Sequence, residues 1–313
     1  MPDSDKLTQE VKALARQFGA VLVGVASIDR FDPKPPYHDR APRGFHPRDY
    51  VPEARSVISV AQPILPAVIN APAALADEDL EMVPPDIKYP YLEMLYQIPG
   101  HRVQDYMLEQ IGQVVGQRLM AEGFDSMFFP TPGIHPRPDP PLVLTERQIW
   151  EGPSKQWAEK YSPFRYSIGP FSHRHAATRA GLGEFGCNNV VLTPQFGPRN
   201  RFNSIVTEAE LVADPLIDRP ICLRESCLLC QRACIANALT LRDDRSFVDY
   251  RSVPEVDWSS IFIDTPARVD PTLCTRRRER VFNSPVRGDC IRICPIPRKP
   301  THLPKRLKAI RGD

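Results

Sequence analysis

Four cysteines fall within thirteen residues, in CLRESCLLCQRAC at positions 222 to 234, of a chain that has only eight. Two more, Cys290 and Cys294, lie in CIRICPIP; Cys274 stands between the groups and Cys187 stands apart upstream. Cys227, Cys230 and Cys234 are spaced C-x2-C-x3-C, and the second run is C-x3-C-P, ending in Cys294 and Pro295. Soft thiolates at such spacing suit iron-sulfur chemistry. A short loop turning around a cubane presents three thiolates, and the next cysteine, past the turn, faces a neighbouring cluster.

In bacterial ferredoxin runs of this form, the last cysteine of each run ligates the cluster held mainly by the other. Crossing the two runs here gives a complete set, Cys222, Cys227, Cys230 and Cys294. It also gives a short set, Cys234, Cys274 and Cys290, because Arg287 stands where a fourth cysteine is expected. The poorer cluster then has a non-cysteine ligand, an open iron, three irons only, or a rescuing thiol, for which Cys187 is the spare. Cys187 can equally be a small buried side chain. Zinc is the plainer alternative, yet a four-ligand zinc site usually joins two C-x2-C knuckles and only one such pair exists. The C-x3-C-x2-C order of adenosylmethionine radical enzymes is missing, and disulfides are disfavoured in a reducing compartment.

The rest of the chain must position these thiols. With 313 residues, 42% hydrophobic and 25% charged, it can bury a sizeable core. A net charge of +2 gives no general argument for nucleic acid or an anionic membrane, although CTRRRER and the end of the chain are locally basic and read as solvated charge. The first residues lack the order of a secretory signal, and no stretch has the roughly 18 apolar residues of a membrane helix. A soluble, cytoplasmic protein without a membrane partner is expected.

Leu7, Val11, Leu14 and Phe18 follow helical spacing, Gly19 can end that helix, and AVLVGVA reads as a strand. RSVISVAQ predicts a second strand. Val103, Met107, Ile111, Val114 and Val115 predict a long amphipathic helix ended by Gly123, and DSMFF a strand. Pro-rich segments at 32–52, 63–99 and 130–141 read as loops, the last long enough to be a lid. A short helix from Ser172 should enter a glycine turn at Gly181, Gly183 and Gly186, followed by the strands NVVLT and FNSIVT. A tight turn between packed elements is one reading of those glycines, and backbone lying against a flat cofactor is the other. Alternating helices and strands predict an α/β (α+β) layer structure over 1–215, a small cluster domain over 216–300 and a basic tail over 301–313.

The stretch GPFSHRHAATRAGLGEFGCNNVVLTPQFGPRNRFNSIVTEAEL, followed by the double cysteine region, resembles the epoxyqueuosine reductase and reductive dehalogenase superfamily. Weaker likeness in LVGVA and ARSVISVAQ extends this over most of the chain. The resemblance implies a nitroreductase-like domain that binds cobalamin, beside a ferredoxin-like domain with two [4Fe-4S] clusters. It implies electrons passing from an external donor such as ferredoxin or flavodoxin to a small-molecule substrate, which loses oxygen or halide. Gly181, Gly183, Gly186 and Asn188 would then flank the cobalamin.

Departures from the family pattern matter as much. Epoxyqueuosine reductases carry an acidic D-x-G-P, and here SIGP puts Ser167 at the acid's position; an unactivated hydroxyl is a poor general acid. Tyr166 is the alternative donor, with Arg165, Arg174, His173 or His175 tuning it or holding an anionic substrate. The family's G-K-N after the glycine turn is GCNN, so a lysine is missing. Epoxyqueuosine reductases continue into helical repeats for tRNA, whereas this sequence has nineteen residues after Cys294, which argues against a tRNA substrate. No twin-arginine signal is present. The leading expectation is a cytoplasmic, cobalamin-dependent iron-sulfur reductase. A cobalamin-free electron-transfer subunit and a non-catalytic corrinoid or metal carrier are the alternatives.

Overall fold

The computed structural model describes residues 3–32, 46–78, 92, 94–96, 98–131, 171–241, 267–269, 288–298 and 303–312. Helix α1 (Ser4–Gln17) begins where the Asp3 carboxylate accepts the amides of Asp5 and Lys6, satisfying donors that a helix start leaves unpaired. It ends at Gly19, whose φ of 103° few other residues adopt. Strand β1 (Leu22–Ser27) follows, then a single 3-10 turn, a four-residue helix α2 (Pro47–Tyr50) and strand β2 (Ser56–Pro63).

The segment 63–99 is not all loop. Helix α3 (Pro66–Glu78) occupies its first part. Pro66 opens the helix at a position whose amide has no intrahelical partner, so proline costs nothing there, and the backbone stays helical through Pro72. Helix α4 (Val103–Ala121) and strand β3 (Ser126–Phe128) come next. Helix α5 (His173–Arg179), the two-residue strands β4 (Glu184–Phe185) and β5 (Val191–Leu192), and strand β6 (Asn200–Thr207) complete this part.

One sheet, ordered β1-β2-β6-β3, organises these elements. Every pairing in it is antiparallel, so the layered helix-and-sheet expectation holds in its α+β form. The register places Ile58 of β2 beside Val25 of β1 and Ile205 of β6. These three side chains share a face with Leu7 and Val11 of α1 and Leu108, Ile111 and Val115 of α4. On the opposite face Ala26, Val57 and Val206 meet Ala176 of α5 and Ala180 just past its end, with Phe129 and Phe171 stacked at 4.4 Å. Strand β2 is buried on both faces, its polar Ser56, Ser59 and Gln62 included.

Helix α4 is rotated from the stripe that spacing predicts: Val103 is 47% exposed while Gln104 and Asp105 are buried. The cause is an ion pair between Asp105 and Arg201 of β6, whose Nε donates at 2.9 Å. Burying Asp105 requires that partner, and the partner sets the helix rotation.

A second, smaller core joins the cysteine runs to the end of the chain. Helix α6 (Leu229–Ala233), the paired strands β7 (Leu239–Leu241) and β8 (Ala267–Val269), helix α7 (Asp289–Arg292) and helix α8 (Lys305–Arg311) belong here. Ala233, Ile293, Leu303 and Leu307 pack together. The final segment is thus not simply solvated charge, since α8 buries Leu307 completely. No helix among the described residues is long and apolar enough to cross a membrane.

His173 pins α5 to the sheet. Its Nε2 donates to the Pro130 carbonyl (3.3 Å), leaving Nδ1 to accept from the Ser204 hydroxyl (3.0 Å). Burial, opposed by the Pro130 carbonyl and helped by the Arg201 charge, lowers its pKa to about 4 from 6.5. A lowered folded-state pKa means the unfolded chain binds the proton first. The contribution is therefore present above pH 6.5 and lost as pH falls toward about 4, on the order of 3 kcal/mol. Urea midpoints should fall across that window, and His173→Gln should flatten the slope there.

Candidate functional site

The first cysteine run is shaped by backbone that bulky residues seldom adopt. After Cys222 a 3-10 turn (Arg224–Ser226) leads to Cys227, and α6 starts from Leu228 with φ of 46°. Arg224 also has a positive φ, 50°. Left-handed backbone at such residues costs roughly 1–2 kcal/mol each, and here it folds the loop back on itself. Cys222, Cys227 and Cys230 consequently line one cavity, and Cys294 from the second run lines it too. The second run enters through Gly288 (φ 91°) into α7, and Pro295 follows Cys294.

Three ties bring the runs to the sheet. Arg199, 5% exposed, donates to the carbonyls of Ile296 (2.8 Å), Cys294 (2.9 Å) and Arg292 (3.4 Å). Glu184 Oε1 accepts the amides of Ile221 (2.8 Å) and Cys222 (2.6 Å), and its other oxygen lies 3.5 Å from the Arg224 guanidinium. Gln231 Nε2 donates to the Cys187 carbonyl at 2.8 Å. Arg292, fully buried, reaches Ile69 O of α3 (2.8 Å) and Asp289 (2.6 Å), and Asp289 also pairs with Arg306 of α8.

Burial pushes the Cys230 thiol up to about 12, reinforced by neighbouring Cys222 and Cys294. Burial also raises Cys294 to about 11, against the Ile296 amide and the Arg199 charge. Such thiols ionise only beside a cation, and a positively charged metal core supplies one. Among the described residues no group of three or more His, Cys, Asp or Glu gathers as a site for a metal ion. Cys222, Cys227, Cys230 and Cys294 nonetheless line one cavity.

Cys234, at the end of α6, accepts the Ala238 amide through Sγ (3.3 Å) and packs with Cys290 in the cluster that contains Cys187, Cys222 and Cys230. Cys274 and Arg287 lie outside the described residues, as do Tyr166, Arg165 and Ser167. Cys187 lies on the wall of the complete set, where its neighbours are Cys222 and Cys230.

Arg174 and His175 are held by α5. Arg174 donates to Asn189 O (2.6 Å) and sits over the Phe185 ring at 5.8 Å; His175 Nδ1 is 2.6 Å from Ser172 Oγ, and its ring tilts on Phe185 at 4.9 Å. Asn188 lines the cysteine cavity and caps its own turn by accepting the Val190 amide. The glycine turn is filled by protein. A Cβ on Gly181 would meet Pro215 O at 2.1 Å, and one on Gly183 would meet Leu192 O at 2.2 Å. These contacts account for both glycines by packing.

No family model matches the chain. Tetrachloroethene reductive dehalogenases from Desulfitobacterium hafniense and Dehalobacter restrictus are 41% identical to it over 71 residues. That segment is 22% of this chain and 12% of theirs. A catabolic reductive dehalogenase in complex with 3-bromo-4-hydroxybenzoic acid aligns at TM-score 0.53 and 18% identity, over 99% of this chain and 36% of that one. An epoxyqueuosine reductase aligns at TM-score 0.43 and 14% identity over 74% of this chain and 53% of that one. The chain thus shares the fold of reductive dehalogenases over about a third of such a protein's length, and the likeness to reductive dehalogenases read from its segments is supported by sequence over 71 residues and by fold.

Arg199→Met leaves three carbonyls without their donor. It should cost on the order of 3 kcal/mol in urea unfolding. Hydrogen exchange should quicken at residues 292–296 while β2 and β6 stay protected.

Proposed function

We propose that this chain is an iron-sulfur reductase of the reductive dehalogenase type. Two [4Fe-4S] clusters would carry electrons from an external donor such as ferredoxin or flavodoxin to a small organic substrate. A pair of electrons and one proton then replace a halide, which departs as the anion; an oxygen substituent takes a second proton and departs as water. One observation carries the reading: Cys222, Cys227 and Cys230 share a cavity with Cys294, the thiol lent by the other run. Cys234, Cys274 and Cys290 are assigned to the second cluster. The sheet region 1–215 would hold substrate, 216–300 the clusters, and the protein would work in the cytoplasm.

Cobalamin, when bound, would supply low-valent cobalt to the substrate. Tyr166 is assigned as the proton donor, with Arg174 and His175 tuning it or holding an anionic substrate. A second reading is an electron-transfer subunit without corrin, which uses the same cysteines and needs no acid motif at Ser167. A tRNA substrate is not part of either reading.

Oxygen-free purification followed by iron, labile sulfide and cobalt analysis separates the readings. About eight irons with cobalt near one per chain supports the enzyme; the same iron without cobalt supports the electron carrier, and zinc alone overturns both. Cys227→Ala should remove about half the iron, and unchanged iron would cancel its assignment. Tyr166→Phe should abolish turnover with both cluster spectra intact; retained activity would remove it as donor.

A further inference from the structure

We infer that helix α8 is the docking surface for an acidic electron-carrier protein, which delivers its electron at the second cluster, the one assigned to Cys234, Cys274 and Cys290. The inference rests on the iron-sulfur reading above and adds the place where the external donor binds. The sequence of α8, KRLKAIR, carries four cations and no carboxylate. Its apolar side faces inward: Leu307 is fully buried and packs with Leu303, Ala233 and Ile293, and Ile310 rests against the same core. Lys305, Arg306 and Lys308 are left exposed, and so is Arg232 of α6, the helix against which α8 packs.

Arg306 fixes this face next to the second pair of thiols. Its Nη1 donates to the Ala233 carbonyl (3.2 Å), and its Nη2 pairs with Asp289. Ala233 directly precedes Cys234, and Asp289 directly precedes Cys290. One side chain of α8 therefore holds both segments that present these thiols. Cys234 and Cys290 are half-buried, whereas Cys230 and Cys294 of the first set are buried. Asp289 does not neutralise the helix, because Arg292 and Arg306 share its carboxylate. A cationic face beside a redox centre steers an acidic protein toward it and speeds the encounter by roughly 10- to 1,000-fold. In each encounter one electron leaves the carrier and one enters the cluster; no bond is made or broken and no proton moves. Nucleic acid and anionic lipid are drawn to the same charge, yet neither has a use for the thiols beside it.

The test uses the full chain purified without oxygen, with an acidic flavodoxin and an acidic [2Fe-2S] ferredoxin as probes. Binding is measured by calorimetry with the oxidised carriers, and cluster reduction by stopped-flow with the reduced ones. The double variant Lys305→Glu, Lys308→Glu is compared with Lys6→Glu, the same change at a side chain of α1 that is 77% exposed. At low salt the double variant should bind about tenfold more weakly and accept electrons about tenfold more slowly, and the gap should close as salt is raised. Lys6→Glu should match the unsubstituted protein. Iron content should be unchanged and reduction by methyl viologen radical, a small cation, should not slow, which separates lost docking from lost clusters. Lys305→Gln with Lys308→Gln should give a smaller effect in the same direction, and serves if the charge reversal unfolds the helix. The inference is overturned if both double variants bind and accept electrons like the unsubstituted protein, or if neither carrier reduces the unsubstituted protein. It is equally overturned if the variants lose only affinity for tRNA or for phosphatidylglycerol vesicles. Iron missing from the unsubstituted protein would overturn the cluster reading and the inference with it, whereas failure of the surface alone leaves the iron in place.

Discussion

The site depends on one guanidinium. Arg199 stands just before β6, a strand held on both sides in the central sheet, and spends its donors on the carbonyls of Arg292, Cys294 and Ile296. Those carbonyls belong to a segment that contributes one thiol to a cavity whose other thiols are Cys187 and those of the first run. A buried cation satisfied by three main-chain oxygens is directional in a way that apolar packing is not, so it fixes where Cys294 ends up as well as how firmly it is held. The close approach is visible in Gly197 as well, where a Cβ would lie 2.0 Å from Ile296 O.

Glu184 does the complementary work at the other run. Its carboxylate takes the amides of Ile221 and Cys222, while Arg224 lies on its far oxygen. A cation therefore grips carbonyls at one edge of the cavity, and an anion grips amides at the other. Both charges are anchored in the part of the chain built around the sheet. Beside the small apolar core that Ala233 and Ile293 share with Leu303 and Leu307, these charge-assisted bonds from outside fix the geometry of the cysteine loops.

Helix and strand positions were legible in the sequence wherever periodicity and a terminating glycine agreed, as for α1 with Gly19 and α4 with Gly123. The meeting of Cys222, Cys227 and Cys230 with Cys294 was also foreshadowed, because thiol spacing encodes local loop chemistry. Arg199 and Glu184 went unread for a physical reason. Their partners are main-chain carbonyls and amides, which every residue possesses, so no side-chain pattern marks the acceptor. Both lie inside the glycine-rich stretch that carried the resemblance, and a charged residue placed among residues that pack tightly was the available signal. The rotation of α4 was hidden similarly, since Asp105 is buried by Arg201, 96 residues away. Antiparallel pairing is likewise a property of distant segments and not of any one strand. Tyr166, Cys274 and the proline-rich stretch at 132–141 lie outside the described residues.

The path from the sheet to the first cysteine run is harnessed from an unexpected quarter. Ser4 donates to Glu210 O, Thr8 takes the Val212 amide, and Lys12 holds Asp214 at 2.7 Å, while Asp214 also takes the Val25 amide. Successive turns of the first helix thus act as pegs along which the connecting strand of chain is laced. Because that lacing sets the starting point of the approach to Cys222, a fusion partner or trimming at the amino terminus would be transmitted to the first cysteine run, and the amino-terminal helix counts as part of that run's scaffold.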